Sequence, residues 1–238
     1  ALLCPFVRRV RRPPWGPTAP PPCWRCAAPG CGWPLRGPAS LTGGARFRQA
    51  GLEFCRSRKF WLLTALIFCQ NGAETSVTGW LVTYFKDQGI LSETVSPYTV
   101  TLLWGATMAA RLYLAFIRPP KDPYRAMIWM GLGCTVFYAG LMLARTQVPA
   151  LLLLGLFALA IAGMNPTAVA CAGKMTSVTS MGIMLPAAGL GAILMPWLIG
   201  VVADGAGLLA GMACNIVPCA GMLVFAALVR REAKAEIA

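Results

Sequence analysis

The chain contains no histidine, and only 8 of its 238 residues are acidic. Without histidine it lacks the commonest neutral-pH general base, the imidazole metal ligand, and the Ser-His and Cys-His pairs of nucleophilic catalysis. No Ser, Cys or Lys has another base at a readable spacing, and the acids inside apolar segments do not come as a pair. An enzyme is therefore the least expected class, and no cofactor is expected. A strand–turn–helix phosphate loop is also missing, which leaves ATP-driven work without support. Charge of either sign is scarce: 12% of residues are charged, about half the ~25% of an average soluble protein.

What fills the chain is apolar. Hydrophobic residues make up 57% and the mean hydropathy is +0.63, a balance that belongs to a membrane protein. The 21 Lys and Arg would suggest nucleic acid if they formed a folded basic face. They do not form one: Arg8, Arg9, Arg11, Arg12, Arg25, Arg36, Arg46 and Arg48 precede the first acid, and most of the others end apolar runs. No nucleic-acid partner is expected.

Residues 1–44 are rich in Pro, Gly, Ala, Arg and Trp and have no helical or strand period. They cannot bury a core and are expected to be a disordered tail. The spacing of Cys23, Cys26 and Cys31 invites a zinc reading, but Cys4 is the one fourth ligand nearby and no metal is expected. The first residue is Ala1 rather than Met, which raises the expectation of a fragment or a partial gene model. Residues 45–59 place Phe47, Ala50, Gly51, Phe54 and Cys55 at helical spacing among arginines. That pattern suits a basic juxtamembrane helix on an anionic membrane face, with a basic loop as the alternative.

A transmembrane bundle over 60–229 follows. Six apolar stretches, at about 60–84, 97–117, 124–144, 149–172, 180–203 and 207–229, each approach the ~20 residues that cross a ~30 Å hydrocarbon core. Short connections rich in Pro and Gly separate them. With the N-terminal side cytoplasmic, the inner loops and the 230–238 tail hold Arg118, Lys121, Arg125, Lys174, Arg230, Arg231 and Lys234, against Lys86 and Arg145 outside. The asymmetry predicts a multi-pass protein with both termini cytoplasmic.

Six spans divide into two triplets, and connection parity inverts the second relative to the first. The expected fold is all-α, six transmembrane helices as two inverted three-helix repeats, the building unit of secondary transporters. Polar residues interrupt the first span of each triplet: Gln70, Asn71, Gly72 and Glu74 in one, Gly163, Asn165, Pro166 and Thr167 in the other. Pro166 has no N–H and displaces the carbonyl of Ala162, freeing an acceptor that only protein or cavity water can satisfy. Gln70, Asn71 and Glu74 lie three and four apart and share one face, which must point away from lipid. A charge at the bilayer centre costs about 2.5–3.5 kcal/mol on insertion scales, so Glu74 faces a cavity or a partner. It is either a proton, cation or sugar-hydroxyl site, or a protonated or salt-bridged carboxylate that fixes helix packing. Arg111 is expected to snorkel to the cytoplasmic interface or to lock an inner gate, ahead of binding substrate. Trp80 is expected to be an outer interfacial anchor. Ala188, Gly189, Gly191 and Ala192 form a packing seam, with Pro186 and Pro196 able to bend it.

These stretches resemble a known family. NGAETSVTGWLVTYF resembles the seventh helix of the fucose-permease-like branch of the major facilitator superfamily, and GMNPTAVA its tenth. LPAAGLGAILMPWLIGVVADGAG resembles the eleventh, through Gly191, Ala192, Ile193, Pro196, Gly200, Ala203 and Asp204. ARLYLAFIRPP is similar to the G-R-L motif of the eighth-to-ninth connection, with Ala110 where that motif has Gly. The resemblance covers residues 46 to about 231 and implies the C-terminal six-helix half of the fold. It further implies a sugar or polyol substrate moved with a proton or sodium ion by alternating access. The pathway then needs an N-terminal half-bundle or a second copy to complete it, and a truncated or regulatory half-protein that does not transport alone is the alternative.

Overall fold

In the computed structural model, residues 57–117, 120–174 and 178–235 are described, all of them within one compact unit, Gly44–Ala238. They are almost wholly helical, and none of the described residues lies in a strand. The expectations for the tail, for residues 45–56, for Cys23, Cys26 and Cys31 and for Arg118 lie outside the described residues.

The first span is α1, Arg58–Asp87. The second is α2, Tyr98–Leu112, which ends in a π-helical turn at Tyr113–Ile117. The third is α3, Pro123–Leu143; it begins with Pro at the first helical position, and the Asp122 carboxylate accepts from the N–H groups of Tyr124 and Arg125, both at 3.1 Å. Such a cap satisfies donors that the first turn cannot pair internally. The fourth span is broken at Gly163 into α4, Gln147–Ala162, and α5, Met164–Gly173. The fifth is broken at Leu190 into α6, Val178–Gly189, and α7, Gly191–Ala206. In the sixth, α8, Leu208–Ala213, gives way to α9, Ile216–Ala235. The last helix thus continues into the segment assigned to the C-terminal tail.

Five segments are long and apolar enough to cross a bilayer: Tyr98–Ile117, Pro123–Leu143, Gln147–Gly173, Ser180–Ala206 and Leu208–Ala235. Together they make this a multi-pass membrane protein. The outer surface agrees, since Trp104, Phe116, Trp129, Leu143, Trp197 and Val217 are all exposed, as hydrocarbon solvent requires and water disfavours.

Helix α1 is longer than any of the five and has a more polar middle, and its surroundings explain the difference. It packs against α2, α5, α6, α7, α8 and α9 and buries residues along its whole length, from Phe60 to Phe85, with Trp61, Gly79 and Thr83 left exposed on one side. A helix enclosed by protein does not have to be apolar on every side. Its Gln70–Glu74 stretch does not break the backbone, so this interruption is one of side-chain polarity alone. By contrast α2 buries Thr99, Leu103 and Thr107, a single stripe at four-residue spacing that faces α4, and leaves the rest to lipid.

The closest approach is that of α1 and α7. A Cβ on Gly191 would run into the carbonyl oxygen of Phe68, and one on Gly72 would lie 2.6 Å from Met195 Cγ. Between lipid-solvated helices, van der Waals contact at small residues replaces the hydrophobic effect as the force for association. Replacing Gly191 by Ala therefore obliges a backbone to move, and is expected to cost about 1–3 kcal/mol, as overpacking generally does. Gly189, with nothing near its missing Cβ, is the control. A thermal midpoint in detergent that falls for Gly191→Ala but not for Gly189→Ala bears this out; equal midpoints refute it.

Candidate functional site

The candidate residues come from three spans: Gln70, Asn71 and Glu74 from α1, Arg111 from the last turn of α2, and Asn165 and Thr167 from α5. Because α1 stays helical, Gln70 and Glu74 stack one turn apart, and the Gln70 amide donates to Glu74 Oε2. Glu74 Oε1 faces Arg111, whose Nη2 is 3.4 Å away. Arg111 also donates from Nε to the carbonyl of Ala162 at 3.1 Å. That carbonyl is the one that Pro166 leaves without an amide partner. One guanidinium thus joins the carboxylate of the first span to the backbone break of the fourth.

Arg111, expected at the cytoplasmic interface or in an inner gate, is bonded to two acceptors, the Glu74 carboxylate and the Ala162 carbonyl. Glu74 is 12% exposed at its side chain and Arg111 39%. The pair sits at the margin of the described bundle, with the carboxylate inside and the guanidinium outside.

A second chain of bonds runs beside it. Asn165 Nδ2 donates to Asn71 Oδ1 at 3.3 Å, and Asn71 Nδ2 donates to the carbonyl of Ala188 at 3.2 Å. The polar residues of the first and fourth spans are thus in direct contact. Gln70 is fully buried, and its Oε1 accepts no hydrogen bond among the described residues, which leaves an acceptor beside the carboxylate. Thr167 is half-buried, and its hydroxyl makes no hydrogen bond to this layer among the described residues.

Three residues of α1 mark out its course along the fifth span. Asn71 reaches Ala188, Thr75 Oγ1 reaches the carbonyl of Ala192 at 3.3 Å, and Trp80 Nε1 reaches that of Pro196 at 3.0 Å. Donors and acceptors advance in the same direction, so α1 runs parallel to α6 and α7. The Ala192 carbonyl is the one that Pro196 cannot satisfy, and that of Ala188 lies in the last turn of α6. Trp80, expected as an outer interfacial anchor, commits its N–H to the Pro196 carbonyl of the fifth span.

Sequence reasoning missed Thr75 and Asn215. Asn215 is fully buried between α8 and α9 and donates to the Ala73 carbonyl at 3.4 Å. A signal existed: Asn215 precedes Pro218 within an apolar run, as Asn165 precedes Pro166. Tyr138 belongs with it, donating at 2.7 Å to the carbonyl of Met212 near the same break.

The layer holds a carboxylate, a guanidinium and three carboxamides within an apolar bundle. It can donate to and accept from hydroxyl groups, and a proton or metal cation at Glu74 would compete directly with Arg111. Arg111→Met leaves the Glu74 carboxylate without its cation and the Ala162 carbonyl without its side-chain donor. The expected loss is about 1–3 kcal/mol, less than the 3–5 kcal/mol of a fully buried pair because the guanidinium is partly exposed. Adding Glu74→Gln to Arg111→Met should restore part of that loss in the thermal midpoint. Strictly additive losses in the double variant would show that the two side chains are not coupled.

No model of a known protein family matches the chain and no characterised protein matches it, so a functional assignment rests on the geometry of this layer.

Proposed function

We propose that the chain is the C-terminal six-span half of a secondary active transporter, which moves a sugar or polyol together with a proton or sodium ion by alternating access. The observation that carries this reading is the double engagement of Arg111, with Glu74 on one side and the proline-released Ala162 carbonyl on the other. Ionisable groups within spans are rare and mark ion and substrate pathways, proton relays or ligand counter-ions. Secondary transporters place such groups against interrupted helices near the midplane. The contact between Asn71 and Asn165 supports the pairing of the first and fourth spans as counterparts in two inverted triplets. Sugar or polyol is the substrate class suggested by the resemblance to the fucose-permease-like branch of the major facilitator superfamily, and a carboxylate with three carboxamides suits hydroxyl-rich solutes.

The exposure of Arg111 at the bundle margin supports a need for completion. A guanidinium there is costly against lipid, so an N-terminal half-bundle or a second copy would cover it. The same observation favours the second reading, a truncated or regulatory half-protein that does not transport alone. Arg58 and Glu232 are 3.4 Å apart, so α1 begins where α9 ends, and the basic residues gathered at that end argue for the cytoplasmic side.

The test is uptake by the protein completed with its N-terminal half. Glu74→Gln should abolish or strongly change pH- or sodium-dependent uptake while membrane insertion stays intact. Uptake unchanged in both respects would overturn the coupling role.

A further inference from the structure

A cavity of about 310 Å³ opens at the end of the bundle opposite Arg145, between the first turn of α3 and the last turns of α9. Lys121, Asp122, Pro123, Tyr124, Arg230, Ala233 and Lys234 form its walls. Three cations converge here against one carboxylate, and that carboxylate is already engaged. Asp122 accepts from the amides of Tyr124 and Arg125 as the cap of α3. The next acid along α9, Glu232, pairs with Arg58 at 3.4 Å. None of Lys121, Arg230 and Lys234 has an ion pair among the described residues. Behind the Tyr124 ring, Lys59 places its ammonium 5.5 Å from the ring centroid and adds to the positive field.

Loop cations at a membrane face need no shared cavity to orient a protein. Here Arg230 is half-buried and Ala233 buried, while Lys121 and Lys234 stand exposed at the rim of the same space, so the three charges border one open cleft. The volume lies at the lower end of ligand-binding clefts, which run from ~300 Å³ upward, and suits a phosphate group with a few attached atoms. Basic pockets between spans at the polar end of a bundle bind phosphorylated head groups in this way.

We infer that this cavity is a binding site for a phosphate group at the membrane interface, with Lys121, Arg230 and Lys234 as its ligands. The site is independent of transport, and its failure would leave the Glu74 reading untouched. It is tested on the purified full chain in zwitterionic micelles, by thermal shift and by retention in native mass spectrometry. The probes are short-chain phosphatidic acid, short-chain phosphatidylcholine and inorganic phosphate. Saturable binding of phosphatidic acid without inorganic phosphate identifies a lipid head group, and binding of both identifies a free phosphate ligand. Each cation near a membrane surface is worth about fivefold in affinity, so the Arg230→Gln, Lys234→Gln double variant should bind roughly 30-fold more weakly. Arg230→Lys should keep most of the affinity, which separates loss of charge from loss of fold. Arg145→Gln, at the far end, should change nothing. Equal binding of phosphatidic acid and phosphatidylcholine, an unaltered double variant, or an Arg145→Gln effect as large as that of the double variant overturns the site.

Discussion

The fold depends on finding donors for backbone carbonyls that broken helices release inside the membrane. Of the six long helical segments, the fourth, fifth and sixth are interrupted, and Pro166 and Pro196 each remove an amide from the turn that would have used it. In hydrocarbon no water substitutes, and an unsatisfied carbonyl costs several kcal/mol. A hydrogen bond between spans contributes only about 0.6 kcal/mol on average. The avoided penalty, rather than the bond made, therefore determines where the polar side chains sit. Arg111 reaches Ala162, Asn71 reaches Ala188 and Thr75 reaches Ala192. Each of these links crosses from one span to another, so satisfying the breaks also sets which helices are neighbours.

This requirement also explains why the most polar span is the central one. Helix α1 provides Asn71 and Thr75 as donors and the Ala73 carbonyl as an acceptor for Asn215. It can do so only from a place where broken helices surround it. The peripheral α2 has the opposite obligation: it holds large apolar side chains on its exposed face and bonds a single charged group, Arg111, to its neighbours at the bundle margin. Close packing at Gly72 and Gly191 brings α1 near enough to α7 for side chains as short as Thr75 to reach a backbone. The small-residue seam and the polar bonds are thus one device, since a wider spacing would leave the Ala192 carbonyl beyond a threonine hydroxyl.

Much of this was legible in the sequence wherever the cause is local. Span positions follow from runs of apolar residues, and the shared face of Gln70 and Glu74 follows from helical spacing. The release of the Ala162 carbonyl follows from Pro166 alone. What the sequence could not name was the group that would answer it, because Arg111 lies 51 positions away and only tertiary packing brings it there. The same limit hid the direction of Arg111 and the inward bond of Trp80: a residue near a span end can snorkel or turn inward, and the nearest buried acceptor decides. The breaks at Leu190 and before Ile216 were missed because the apolar run continues across them, and hydropathy does not register a lost backbone hydrogen bond. Residues 70–74 misled in the other direction, since polarity marked an interruption where the helix is continuous.

That continuity matters for how the layer can respond to a ligand. An unbroken α1 holds Glu74 on a rigid element, whereas the Ala162 carbonyl lies at the Gly163 break, where α4 passes into α5. Arg111 holds both with different nitrogens of one guanidinium, Nη2 on the carboxylate and Nε on the carbonyl. A proton or cation that displaces Arg111 from Glu74 removes the charge that keeps the side chain in place, and so weakens its bond to the break as well. A ligand shifts a conformational equilibrium only through a difference in its interaction with the two states. Here that difference has a physical carrier. Under the transport reading proposed above, the state with Arg111 on Glu74 satisfies the fourth-span carbonyl, and a state with Glu74 otherwise occupied would leave that carbonyl to a shift of α4 against α5 or to a group on a transported solute.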